Sequence, residues 1–378
     1  MYCNTKSIFK KLKLTFTIIA TIAFTVKIIQ APRIAAKGAS QGLNFCLEML
    51  IPSLLIFMFL ASFIVNSGIS KKFQKSLSPL TKFLFYLPGC TAPVIILSLI
   101  GGYPVGAKGA KTLFFKKEIN NEQLNRLMCF AVNAGPAFII NIVGSLLTKN
   151  YLFGQILFLT QILLSFLISC LSGIIVRIKK IKFYEQNTND KNNNIHISNS
   201  LILSCEETSK TMVNMCSLII LFCTIIEVIQ SLNIYKLLID KLNLVNITPD
   251  ITKSIITSLL EITSGCFMAT DLNAPLMITA FAVGYGGICA HLQIKYILKN
   301  TDFNYLKFCI IRFLNGIATV FLTFFILNNL PEKYQNVFST LKHPILISNS
   351  ATKFGSIVLI CFCIYFIFSV SSNMHAKK

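Results

Sequence analysis

The chain has 378 residues, 54% of them hydrophobic and 13% charged, with 32 Phe, no Trp and a mean hydropathy of +0.68. So little polar surface excludes an ordinary soluble domain and indicates an all-α polytopic membrane protein. The formal net charge of +21 sits largely between apolar runs, where it orients helices by the positive-inside rule and gives no ground for a nucleic-acid partner.

In chain order, apolar runs occupy residues 14–30, 45–65, 127–147, 152–176, 212–229, 308–327 and 354–371. Each is long enough to cross a hydrocarbon core of ~30 Å at a rise of ~1.5 Å per residue. The first run follows Lys6, Lys10, Lys11 and Lys13, a charged start shared with signal peptides. Its length, and the Pro32, Arg33 and Lys37 that follow, favour a retained membrane helix. Thirteen cysteines lie mostly within the apolar runs with no CxxC pair, and the four histidines are scattered. They read as small buried hydrophobes and isolated imidazoles, with no metal site and no cofactor.

Residues 99–111, LIGGYPVGAKGAK, carry Gly101, Gly102, Pro104 and Gly106 at the end of an apolar segment, and these break any helix there. A polar linker at 181–204 then divides the chain into comparable halves. FAVNAGPA at 130–137 matches FAVGYGGICA at 281–290, and upstream SLIGGYP at 98–104 falls opposite EITSGCF at 261–267. The order of elements repeats around these pairs: a long helix, a broken segment, an FAV helix and another long helix. The expected organisation is an N-terminal helix and loop (1–40), a first repeat (41–180), the linker (181–204), a second repeat (205–330), and a loop with a C-terminal helix (331–378).

Charge tests the topology. With a cytoplasmic N-terminus and re-entrant hairpins at 83–107 and 254–270, 25 Lys and Arg lie inside, Lys108, Lys111, Arg126 and Arg312 among them, against nine outside. Each repeat then contributes three crossings, an odd number, so the second repeat is inverted relative to the first. Eight spanning helices and two hairpins result, with both termini inside.

Backbone groups freed by a helix break cannot face lipid and must be buried in protein or line a polar cavity. Paired breaks in inverted repeats are the recurring design of secondary transporters. Among polar residues in apolar runs, Glu48, Glu227, Asn133 and Asn141 are candidates, and Glu261 is the best placed because Thr263, Ser264 and Gly265 follow it. Asp271 and Asn273 are expected at the polar tip of the second hairpin. No Walker, HExxH or GxSxG motif appears, so neither ATP drive nor an enzyme is expected.

GGYPVGAK (101–108), NNEQLNRLMCFAVNAGPAFIINIVG (120–144), LEITSG (260–265) and VGYGGICAHLQ (283–293) resemble the YlbJ-type sporulation integral membrane proteins. These fall within the wider set carrying the nucleoside-recognition Gate domain, and the likeness spans roughly residues 40–330. It implies a role in endospore formation in the mother-cell membrane that becomes the outer forespore membrane. It also implies movement of dipicolinic acid, a small planar dianion, as substrate. The alternatives are a non-transporting scaffold for spore envelope or cortex assembly and a nucleoside-type transporter. The matching positions carry over as candidate substrate-binding residues: Gly101, Gly102, Tyr103, Pro104, Gly106, Asn133, Gly135, Pro136, Glu261, Thr263, Ser264, Gly265, Gly284, Tyr285, Gly286 and Gly287. The partners implied are a small anion and the lipid bilayer, and a homo-oligomer is compatible with the sequence.

Overall fold

A computed structural model describes residues 15, 17–19, 21–185, 197–243, 247–272 and 274–329. The expected C-terminal helix at 354–371, residues 186–196 of the linker and Asn273 lie outside the described residues, and residues 197–204, expected as linker, are helical. Among the described residues every regular element is helical.

Helix α1 covers residues 21–30. Helix α2 runs over Pro32–Asn66, with a wide turn at Phe45–Leu50, and α3 over Ser70–Leu80. The expected loop before residue 45 is therefore helical: Pro32 stands in the first turn, where its missing N–H costs nothing, and no breaker interrupts the following stretch. Next come α4 (Thr91–Gly101), α5 (Tyr103–Phe115), α6 (Asn121–Phe130), α7 (Ala137–Leu147) and α8 (Tyr151–Ile178). The second half holds α9 (Ile197–Gln230), α10 (Asn233–Asn243), α11 (Pro249–Leu260), α12 (Ile262–Asp271), α13 (Leu276–Tyr285), α14 (Gly287–Ile297) and α15 (Tyr305–Asn328).

The two halves thus share one order: a long helix, a short helix, two pairs of short helices and a long helix. Corresponding long helices run antiparallel. Gly38 and Gly42 of α2 meet Cys223 and Ile220 of α9, and at the other end Asn66 Nδ2 donates to Ser204 Oγ at 3.0 Å. Gln161 Nε2 of α8 donates to Thr319 Oγ1 of α15 at 2.9 Å, while Thr323 reaches back to Thr160.

Among the described residues five helices are long and apolar enough to cross a membrane: Pro32–Asn66, Tyr151–Ile178, Ile197–Gln230, Leu276–Ile297 and Tyr305–Asn328. Their outer faces expose Leu163, Leu167 and Leu171 on α8 and Leu314, Phe321 and Phe325 on α15. In water such continuous apolar faces would drive aggregation; facing acyl chains they are satisfied.

The short pairs are of two kinds. In α4–α5 and α11–α12 the chain folds back on itself, so Gly106 and Gly109 of α5 lie against Ser98 and Val94 of α4, and Gly265 of α12 lies against Ser258 of α11. In α6–α7 and α13–α14 the two short helices follow one another without folding back. The uninterrupted helix expected over 127–147 is corrected here: residues 131–135 are non-helical, and Asn133 lies in this break rather than on a helix. Asn133 Nδ2 turns back to Phe130 O at 2.7 Å, taking a carbonyl at the end of α6, while Pro136 starts the next helix. The tip of the second hairpin also moves. Asp271 merely ends α12, and the chain reverses at Glu261.

Gly106 marks where the elements come closest, because a Cβ there would overlap the Ala131 carbonyl oxygen in the α6–α7 break. We expect Gly106→Ala to cost about 1–3 kcal/mol, read as a lowered thermal midpoint of the purified protein. Gly109→Ala, whose nearest contacts are the Val94 methyl groups at 2.9 and 3.0 Å and not a backbone oxygen, is the milder comparison.

Candidate functional site

The two hairpin tips and the two broken helices meet at one place. The first tip needs glycine: Gly102 has φ +80°, ψ −168°, a conformation costly for any residue with a Cβ. The second turns in extended conformation at Glu261, φ −145°, ψ 129°. Its carboxylate caps α12, accepting from Thr263 N–H at 3.0 Å and Ser264 N–H at 2.6 Å. This carboxylate is 1% exposed and sits at the positive end of its own helix.

Each tip touches a break. Gly102 and Ile100 lie against Gly135, and Gly287 packs on Leu260, Glu261 and Ile262. Tyr103, the residue after the first tip, crosses to the opposite half, where its ring lies over Gly286 and its hydroxyl donates to Val283 O at 3.1 Å. Gly286 and Gly287 themselves have φ +94° and +75°.

The end of α13 shows how the freed carbonyls are satisfied. Val283 O accepts from Tyr103. Gly284 O accepts from Arg312 Nη2 and from Asn315 Nδ2, the latter at 3.0 Å. Tyr285 O accepts from Arg312 Nε at 3.4 Å and from His291 Nε2 at 2.9 Å, so that ring nitrogen carries the hydrogen. Arg312 Nη1 then reaches Asn133 Oδ1 at 3.4 Å in the first half, and its guanidinium carbon stands 5.7 Å from the Tyr103 ring centroid.

A small cavity of about 50 Å³ lies between the tips, lined by Gly101, Gly102, Tyr103, Pro104, Gly135, Glu261 and Thr263 among the expected residues, with Gln293 and Cys289 beside them. Space of this size holds water but not an organic ligand. Met58, Pro104, Met215 and Gln293 also line a second cavity of about 1200 Å³. Among the described residues five lysines face that larger space, Lys108, Lys111, Lys116, Lys210 and Lys299, with Glu207 as its one carboxylate. Glu207 accepts from Ser62 at 2.8 Å and from Asn66 at 3.3 Å, and its backbone oxygen accepts from Lys108 Nζ at 3.2 Å.

Other expected residues serve packing. Gly106 admits the Ala131 carbonyl, Gly265 admits Ser258, Gly284 lies under Thr319, and Ser264 Oγ stands 3.2 Å from Cys223 Sγ. Glu48 and Asn141 are exposed and away from the crossing, and Glu227 pairs with Lys37 at 3.2 Å. Pairing SLIGGYP with EITSGCF set Ser98 opposite Glu261, whereas the hairpin tips set Gly102 there, four residues later.

Two arginines assigned to the cytoplasmic loops are in fact buried. Arg126 bonds to Phe85 O, Tyr86 O and Ser172 Oγ, and Arg312 is 1% exposed. Without them 23 of the positive residues expected inside remain against nine expected outside. Arg312 had a signal: it is the one arginine within the apolar run 308–327, and an intramembrane charge is costly unless partnered.

These features define a helical integral membrane protein whose centre is a meeting of broken helices. The chain is 24% identical, over 94% of its length and 95% of the relative's, to sporulation integral membrane protein YlbJ of Bacillus subtilis (strain 168). That match bears out the YlbJ-type resemblance read from the sequence. No family model matches the chain, and no solved structure matches it.

Removing the Tyr103 hydroxyl leaves Val283 O without a donor in a buried place. Tyr103→Phe is expected to cost about 1–3 kcal/mol, and Glu261→Ala a comparable amount through loss of the cap; thermal midpoints of the purified variants check both.

Proposed function

We propose that the chain is a sporulation membrane protein of the mother-cell membrane that becomes the outer forespore membrane, and that it is a secondary transporter of a small organic anion, dipicolinate. It acts as a carrier, not as an enzyme. The observation that carries this reading is the 1200 Å³ cavity with five lysines and one carboxylate, leading to the place where the broken helices meet. A basic cavity concentrates anions by its field, and its volume accommodates a pyridine dicarboxylate with its hydration water.

Eight spanning helices and two re-entrant hairpins, arranged as inverted Gate-like repeats, complete the proposal. The antiparallel pairing of α2 with α9 and of α8 with α15 supports it, because equivalent helices in inverted repeats run in opposite directions. The five cavity lysines all belong to segments that the charge count places inside, so the cavity opens to the cytoplasm in this state. The tightly closed hairpin tips form the barrier on its far side. Alternating access then consists of moving the tips relative to the broken helices, and the relative's sporulation role is consistent with the anion's destination.

The test is uptake of labelled dipicolinate into proteoliposomes, with nucleosides as competitors. Dipicolinate uptake that nucleosides leave unchanged supports the proposal, and Lys108→Met with Lys111→Met is expected to reduce it about tenfold, more at low than at high ionic strength. Uptake of nucleosides alone would make this a nucleoside-type carrier. Uptake of neither, with spore dipicolinate still lost on deletion, would leave a scaffold for envelope assembly. Labelling of single cysteines at 99–111 only from outside would overturn the orientation.

A further inference from the structure

The last three carbonyls of α13 are the negative end of a helix that stops inside the protein, a place that draws a cation. Here that place is filled by a side chain. Arg312 carries a delocalised positive charge on a planar fork, two arms of which reach Gly284 O and Tyr285 O while the third reaches Asn133 Oδ1. A carbonyl oxygen has two lone pairs. Gly284 O spends both, on Arg312 and Asn315; Tyr285 O spends both, on Arg312 and His291. Tyr103 holds Val283 O, and its ring closes one side of the guanidinium. No carboxylate lies within ion-pair distance of Arg312 among the described residues. Glu261, the other charge buried at the crossing, spends its two oxygens on the N–H groups of its own helix.

We infer that Arg312 is a built-in cation: its guanidinium holds the place where the end of α13 and Asn133 would otherwise take a diffusible monovalent metal ion, so the two halves join there without sodium or potassium. The inference extends to what removal of the side chain leaves behind. A cavity lined by Gly284 O, Tyr285 O and Asn133 Oδ1 has the shape and donor demand of a guanidinium, and free guanidinium is the ligand that fits it. This conclusion rests on the carbonyl partners alone and is independent of whether, or what, the protein transports.

The experiment uses the full chain purified in detergent, with thermal unfolding followed by a thiol-reactive dye, since Cys129, Cys266 and Cys289 are buried in the fold. The wild-type midpoint is expected to be the same in sodium, potassium and choline chloride at equal ionic strength. Arg312→Ala is expected to lower the midpoint by about 5 °C or more. Guanidinium at millimolar concentration is expected to recover most of that loss, and urea at the same concentration none of it. Gly106→Ala, destabilised by crowding, is expected to gain nothing from guanidinium. A further pair covers the case in which the alanine variant does not fold: Arg312→Lys is expected to be more stable than Arg312→Met. Stabilisation of the wild type by sodium or potassium over choline would overturn the inference. So would a loss in Arg312→Ala that guanidinium does not recover, or a lysine variant no more stable than the methionine one.

Discussion

Every backbone carbonyl that leaves a helix inside this protein must find a donor, and the fold depends on how that demand is met at the end of α13. Water is scarce there, and an unpaired carbonyl costs on the order of 1–3 kcal/mol. The three freed oxygens at Val283, Gly284 and Tyr285 are answered by Tyr103, Arg312, Asn315 and His291. Tyr103 belongs to the tip of the first hairpin, and Arg312 also holds Asn133 in the first broken helix. One local debt of hydrogen bonds therefore ties the two halves of the chain together across about 180 residues of sequence.

The same logic explains how two opposite charges are buried without pairing. Glu261 lies on the N–H groups that open α12, and Arg312 lies on the carbonyls that close α13. Each charge meets the complementary end of a helix dipole, so neither needs the other as counter-charge. The glycines serve the approach this requires. Gly102 permits the tight first tip, and Gly106 lets the Ala131 carbonyl sit against α5. The second tip has no glycine and turns on a capped carboxylate instead, so the two hairpins reach similar shapes by different chemistry.

Much of this plan was legible in the sequence, because glycine and proline announce breaks directly. GGYP and GYGG mark the first tip and the second broken helix, and the antiparallel long helices follow the order of apolar runs. The break at 131–135 was missed although Gly135 and Pro136 mark its end, because its apolar flanks read as one continuous helix; Asn133 Nδ2 donates to Phe130 O there. Arg312 was visible as a residue but not as a site. Its partners are main-chain oxygens, and a backbone carbonyl has no letter in a sequence. The four-residue shift between the motif pairing and the hairpin tips has a similar origin: Gly102 and Glu261 occupy equivalent turns with no chemical likeness.

Rigidity and access are divided unequally around the crossing. On one side lies a cavity of about 1200 Å³ walled by α2, α5 and α9, where Glu207 links Ser62, Asn66 and Lys108 through single hydrogen bonds. On the other the hairpin tips close on the broken helices by backbone contact, leaving about 50 Å³. Single side-chain bonds at the rim of a wet cavity exchange with water at little cost, whereas the buried bonds of Arg312 do not. In the transport cycle proposed above, a change of access is easiest if the tip of the first hairpin slides and releases the bond from Tyr103 to Val283 O, while Arg312 and the end of α13 stay fixed. Because the Tyr103 hydroxyl makes a neutral bond and Arg312 a charged one, the weaker of these two bonds at the crossing is the one that belongs to the hairpin.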